Sequence, residues 1–171
     1  MSYKNENMKM IELHENGLDI QFRIRENGVV ELADFSSQEV KKAVMEPKED
    51  ICYPAVEIHR SGTGSLNMHA YKNNINQSSV DFVYENHELK AQAGGKELEI
   101  VMISPEKLKA VYHMRLFDGV PAVQTWTEII NEGSEDQGLT YVSSFMYQGI
   151  SRGGEKPYYK KTDIYVPFNS W

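Results

Sequence analysis

The chain has 171 residues and a formal net charge of −7, with 40% hydrophobic and 25% charged residues, which fits one globular domain with its own core. The acidic balance, with no basic run longer than Lys160–Lys161, argues against nucleic-acid binding. No window approaches the ~20 apolar residues of a membrane span, and the first twenty residues hold no apolar stretch long enough for a signal peptide. Cys52 is the single cysteine, so no intramolecular disulfide and no cysteine-based metal site can form, which suits a reducing, cytoplasmic setting.

Alternation dominates from Gly17 onward. Leu18, Ile20, Phe22 and Ile24 alternate with Asp19, Gln21, Arg23 and Arg25, the period of a half-buried strand. Asn27-Gly28 then signals a hairpin turn, with Val29–Phe35 as the returning strand. Ser36-Ser37-Gln38-Glu39 has capping-box spacing, so 36–50 fits either a helix of one or two turns, stopped by Pro47, or an irregular excursion. Pro54–Arg60 reads as a short strand with Val56 and Ile58 on one side. Ser61–Ser79 is a long polar stretch, of the length that often carries function.

Val80–Tyr84 and Glu88–Ala93 read as strands around Asn86-His87, followed by a turn at Gly94-Gly95-Lys96. Leu98–Ser104 is apolar enough for a central strand, and Pro105-Glu106-Lys107 turns the chain again. In Leu108–Phe117, Ala110, Tyr112, Met114 and Leu116 face one way, with His113 and Arg115 opposite. After Asp118-Gly119 come strands at Val120–Ile130 and Leu139–Ile150, a loop at Ser151–Lys156 and a last strand at Thr162–Phe168. Short strands with turns every eight to twelve residues predict an all-β fold, a large antiparallel β-sandwich or barrel with little helix. The lack of helices between strands excludes a parallel α/β sheet.

The residues identify no catalytic group. Gly62-Thr63-Gly64 and Gly153-Gly154 precede no helix, so they read as turns rather than phosphate loops. His14, His59, His69, His87 and His113 lack the close spacing of a zinc motif, so no metal ligand and no cofactor is expected. No Gly-x-Ser-x-Gly elbow is present, and Ser143-Ser144 falls within an expected strand. The 25 acidic residues cannot be paired from sequence at the separation of about 5 Å that a retaining glycosidase needs. Trp126, between Thr125 and Thr127, reads as a sheet or interface aromatic, structural if its ring is buried.

Four blocks carry a resemblance. The segment RLFDGVPAVQTWTEIIN, Arg115 to Asn131, resembles the N-terminal domain of glycoside hydrolase family 36, the bacterial α-galactosidases, in which the run is Y-x-L-Y-x-G-x-P-x-x-x-x-W-x-x-x-x-N. Asp118, Gly119, Pro121, Trp126 and Asn131 fit in register, while Phe117 replaces the usual tyrosine. Pro54–Arg60 is similar to the family's P-x-V-E-I strand, and Leu139–Ile150 to the strand after the tryptophan block. Asp163–Trp171, DIYVPFNSW, is similar to L-x-x-P-x-N-S-W ahead of the barrel. The blocks come in family order, and the resemblance covers about Leu18 to Trp171.

The resemblance implies a β-supersandwich filling residues 1–171 as one domain, the non-catalytic N-terminal part of an enzyme that hydrolyses terminal α-galactosides with retention. The catalytic aspartates would lie in a (β/α)8 barrel downstream of Trp171, on which this domain packs, and the full-length enzyme would be a homo-oligomer. A free-standing carbohydrate-binding module is the alternative. The sequence departs from the family in the loop Gly62–Asn74, usually rich in histidine and glycine, which here has only His69. Asn67, His69, Tyr71 and Asn73 in that loop are the candidate sugar contacts, through hydrogen bonds to hydroxyls or ring stacking.

Overall fold

The computed structural model describes residues 9–38, 53–63 and 77–147. In chain order they form β1 (Lys9–Glu15), β2 (Leu18–Ile24), β3 (Val30–Ser37), β4 (Ile58–Arg60), a single turn α1 (Gln77–Val80), β5 (Val83–Gln92), β6 (Gly95–Ile103), β7 (Leu108–Phe117), β8 (Val120–Asn131) and β9 (Leu139–Val142). The fold is an all-β antiparallel sandwich. One sheet has the order β1-β2-β3 and the other β5-β6-β7-β8, with a short β4-β9 pair beside them.

The alternation that makes these strands also builds the core. Ile20, Phe22 and Ile24 from β2 meet Leu98, Ile100 and Met102 from β6 and Ala110, Tyr112, Met114 and Leu116 from β7 in one buried cluster. Phe22 and Tyr112 join the sheets edge to face, with ring centroids 5.7 Å apart, a geometry favoured by the ring quadrupoles. Burial drives the Tyr112 phenol well above its ordinary pKa. β6 is an interior strand, as its apolar sequence predicts. The hairpin at Asn27-Gly28 is present, with Gly28 at φ +85°, where a side chain would be strained and a Cβ would meet Val83.

Several elements differ from the sequence reading. β1 was not expected; it pairs along its whole length with β2. Ser36 and Ser37 extend β3, so no helix starts there, and the rest of the predicted excursion from Glu39 to Asp50, including Pro47, lies outside the described residues. The strand expected at Pro54–Arg60 is reduced to Ile58–Arg60. Val80 belongs to α1 rather than to a strand, because Ser78 and Ser79 turn their hydroxyls onto β4. Ile58 N–H donates to Ser79 Oγ (2.8 Å), Arg60 N–H donates to Ser78 Oγ (3.2 Å), and the Ser79 hydroxyl donates to Ile58 O (2.9 Å). These hydroxyls satisfy backbone groups that a neighbouring strand would otherwise pair.

Asn86-His87 does not break its strand. The register shift between Tyr84 and Asn86 absorbs Glu85 as a bulge, and β5 runs unbroken. The strand expected to reach Ile150 ends at Val142, where Ser143 Oγ accepts the Glu57 N–H at 2.8 Å in place of a ladder carbonyl. The β2 strand, expected to be half-buried, is covered on both faces, with Asp19 and Arg23 buried beside the apolar positions.

Candidate functional site

A polar cluster on the outer face of the large sheet arises from strand register. On β6, Leu98 and Ile100 point into the core, so Glu97 and Glu99 point to the other face. Across the ladder Glu99 lies opposite His113 of β7 and Glu88 of β5, and Glu97 lies opposite Arg115 and Lys90. His113 in turn lies opposite Trp126 of β8. Residues far apart in sequence are thus brought side by side.

His113 is the centre of the cluster. Its side chain is 9% exposed, with Nδ1 2.9 Å from Glu97 Oε1 and 4.0 Å from Glu99 Oε1. The Trp126 indole stacks flat on the imidazole, centroids 4.6 Å apart and planes 4° from parallel. His113 Nε2 is buried without a hydrogen-bond partner, and the nearest carboxylate oxygen facing it is Glu128 Oε2 at 3.7 Å. The second oxygens of the two β6 carboxylates are held. Gln92 Nε2 donates to Glu97 Oε2 at 2.6 Å, and Lys90 Nζ donates to Glu99 Oε2 at 2.5 Å. The hydrogen bond to Glu99, with the charges of Glu99, Glu88 and Glu97, holds the Lys90 ammonium above its ordinary pKa against the opposing effect of desolvation.

Glu97 and Glu99 project from one strand onto the same face. A glycosidase needs carboxyl groups that flank a glycosidic bond, one to protonate the leaving oxygen and one to attack or activate water from the other side. Two neighbours on a single strand do not enclose a bond in that way, so this pair is not assigned a catalytic role. Two carboxylates and an imidazole with converging lone pairs do suit a cation: their ligand atoms all lie within 4.8 Å of one another.

The other polar sites are structural. Buried Arg60 ties together β4, the Asp81 carboxylate (3.1 Å) and the Glu106 carboxylate (2.7 Å). Lys9 donates to the Tyr84 hydroxyl, which lies 2.8 Å from His87 Nδ1; burial, then the Lys9 charge, lowers the His87 pKa. An open cleft lined by Glu106, Lys107, Glu132 and Glu135 lies at the β6–β7 and β8–β9 loops, where Glu106 and Glu132 are already paired with Arg60 and Lys109.

Asn67, His69, Tyr71 and Asn73 lie outside the described residues, as do Cys52, Gly153-Gly154 and the block Asp163–Trp171. His14 meets Asp19, and His59 meets Glu57 and packs at a tilt of 51° against Tyr141. Trp126 is a sheet aromatic, half-buried rather than fully buried. The grouping of Glu97, Glu99 and His113 escaped a search for ligand spacing along the chain, because the spacing that matters runs across the ladder. Among the described residues no helix is long and apolar enough to cross a membrane.

No protein-family profile matches this sequence, and no curated protein does. Ten chains of known structure match it. One is the GH36 alpha-galactosidase AgaA from Geobacillus stearothermophilus, at a TM-score of 0.44 and 12% sequence identity, over 74% of this chain. This chain spans 23% of that enzyme's length.

Proposed function

We propose that this chain is a non-catalytic β-sandwich domain of an α-galactosidase-like glycoside hydrolase that acts on terminal α-galactosides. The observation that carries the reading is the block Arg115–Asn131, whose motif residues have scaffolding roles here. Gly119 takes φ +70° in the β7–β8 turn. Trp126 braces His113 across the ladder. Asn131 closes the loop after β8, accepting the Gly133 N–H at 3.0 Å and donating to Glu135 O at 2.9 Å. A motif made of turn, brace and loop closure belongs to a framework rather than to a reaction centre.

Packing on a larger body also fits β8, a twelve-residue strand that among the described residues pairs only with β7 and exposes Val120 and Ile130. Such an edge is normally covered by another element or subunit. In this reading a catalytic barrel follows Trp171, the assembly is a homo-oligomer in the cytoplasm, and Asn67, His69, Tyr71 and Asn73 border the substrate pocket. The test is α-galactosidase activity, on a chromogenic aryl α-galactoside, of the product of the intact reading frame and of residues 1–171 alone. Hydrolysis by the first and background rates for the second are expected. An inactive intact product, or turnover by residues 1–171 that a point substitution abolishes, overturns the reading.

A further inference from the structure

We propose that Glu97, Glu99 and His113 form a binding site for a divalent transition cation of the Zn2+ class, ligated through Glu97 Oε1, Glu99 Oε1 and His113 Nδ1. This site is independent of the glycosidase reading. The donor set selects the ion: imidazole nitrogen suits Zn2+ and its neighbours, whereas Mg2+ and Ca2+ take oxygen ligands.

Zinc bonds to nitrogen and carboxylate oxygen are about 2.0–2.2 Å long, so two ligands of one ion lie at most roughly 4.2 Å apart. The Glu97–His113 separation of 2.9 Å lies well inside that limit. The Glu99–His113 separation of 4.0 Å is near it, and Glu99, with its side chain 22% exposed, has room to close in. Gln92 and Lys90 each hold the non-ligating oxygen of one carboxylate, which leaves the other directed toward Nδ1.

The unpartnered Nε2 supplies a second line of evidence. With the proton on Nδ1 and donated to Glu97, the buried Nε2 lone pair faces the Glu128 carboxylate at 3.7 Å, an unfavourable contact. A cation on Nδ1 moves the proton to Nε2, where it becomes a donor toward Glu128, whose side chain is 57% exposed and mobile enough to shorten the contact. Metal–imidazole–carboxylate chains of this kind fix the ring and strengthen the ligand. The local charge also favours a cation: Glu88, Glu97, Glu99 and Glu128 face the single ammonium of Lys90. Of the other cations on this face, Arg115 turns its guanidinium to Ala93 O at 3.2 Å and over the Phe117 ring, and Lys109 pairs with Glu132.

The experiment is calorimetric titration of the chelator-stripped 171-residue chain with Zn2+, repeated with Co2+ to follow its visible absorption. One equivalent bound per chain is expected. Glu99→Gln, at a partly exposed position that keeps the fold, should weaken binding at least about tenfold, and Glu128→Gln about tenfold through the imidazole. His87→Gln should leave it unchanged. Absence of binding at millimolar Zn2+, affinity in Glu99→Gln within twofold of the parent, or loss of binding in His87→Gln overturns the proposal.

Discussion

The two sheets carry polar side chains on their outer faces with the same period of two, yet they treat them in opposite ways. On the small sheet Glu31, 1% exposed, lies between Arg23 (3.5 Å) and Arg25 (3.2 Å) and accepts the Tyr53 N–H at 3.0 Å. On the large sheet Glu88, Glu97, Glu99 and Glu128 surround one lysine and one histidine. In the first region charge is sealed under cover and matched; in the second it is gathered with negative charge in excess. A covered face has to neutralise its charges because desolvation is costly. A face that holds uncompensated carboxylates has capacity left for a cation.

The comparison is broken most directly at Glu31. Glu31→Gln takes away the charge that buried Arg23 and partly buried Arg25 share, and loss of one partner from a buried ion pair costs about 3 kcal/mol or more. Glu97→Gln removes one partner of the buried His113 contact but also a carboxylate beside Glu99, so it should cost less than Glu31→Gln, about 1–2 kcal/mol in metal-free protein. Urea unfolding of both variants measures the difference, and equal losses would erase the distinction between the two faces.

Trp126→Ala comes next. A fully buried ring would cost about 3–5 kcal/mol on truncation, but this ring is half-buried and keeps one stacked contact, with His113. We expect about 1–2 kcal/mol, from partial burial and the stack. A loss above about 3 kcal/mol would mean that β8 is covered in solution by something the described residues do not include.

These contrasts mark what the sequence could convey. Period two identified β2 and β7, the Asn-Gly turn implied β3 as the returning strand, continuous apolar character marked β6, and glycine turn chemistry placed the hairpins at Gly28, Gly94 and Gly119. The inward set Ala110, Tyr112, Met114 and Leu116 was legible because a strand's side-chain period is fixed. The cover over Asp19 and Arg23 was not, since alternation shows which face is polar and says nothing about what lies on top of it. Ser78 and Ser79 were read as the end of a polar stretch and Val80 as the start of a strand, because the hydroxyl bonds that tie α1 to β4 depend on tertiary approach. The Glu97–Glu99–His113 group was hidden for the same reason: only the β6–β7 register brings the third ligand to the first two.

Another buried guanidinium, Arg60, gives a pH-dependent version of the comparison. Burial pushes the Glu106 carboxyl upward, but hydrogen bonds from Arg60, from its own backbone N–H and from Ser104, together with the Arg60 charge, outweigh it and hold the group below its ordinary value of 4.5. The folded chain therefore binds this proton more weakly than the unfolded chain. The stabilisation is present above about pH 4.5 and is lost as pH falls below it toward the folded value. Glu106→Gln should flatten the acid limb of the Tm profile below pH 4.5. An unchanged limb would mean that solvent screens the pair, whose glutamate side chain is 42% exposed.

The smallest effect expected is at the surface contact between the sheets. Lys96 of β6 meets Glu15 of β1, with side chains 42% and 26% exposed. The pair joins the large sheet to the edge of the small one, so its position suggests importance. Its energetics do not: exposed ion pairs couple by about 0.2–1 kcal/mol, because the gain is offset by ordering two long side chains in water. The sandwich is held instead by the Phe22–Tyr112 contact and the cluster around it. A double-mutant cycle of Lys96→Ala and Glu15→Ala, read by urea unfolding, should give a coupling in that range. It should fade in 1 M salt, where screening acts over about 3 Å. A coupling above about 2 kcal/mol that survives salt would make this bridge, rather than the aromatic contact, the element that sets how the two sheets face each other.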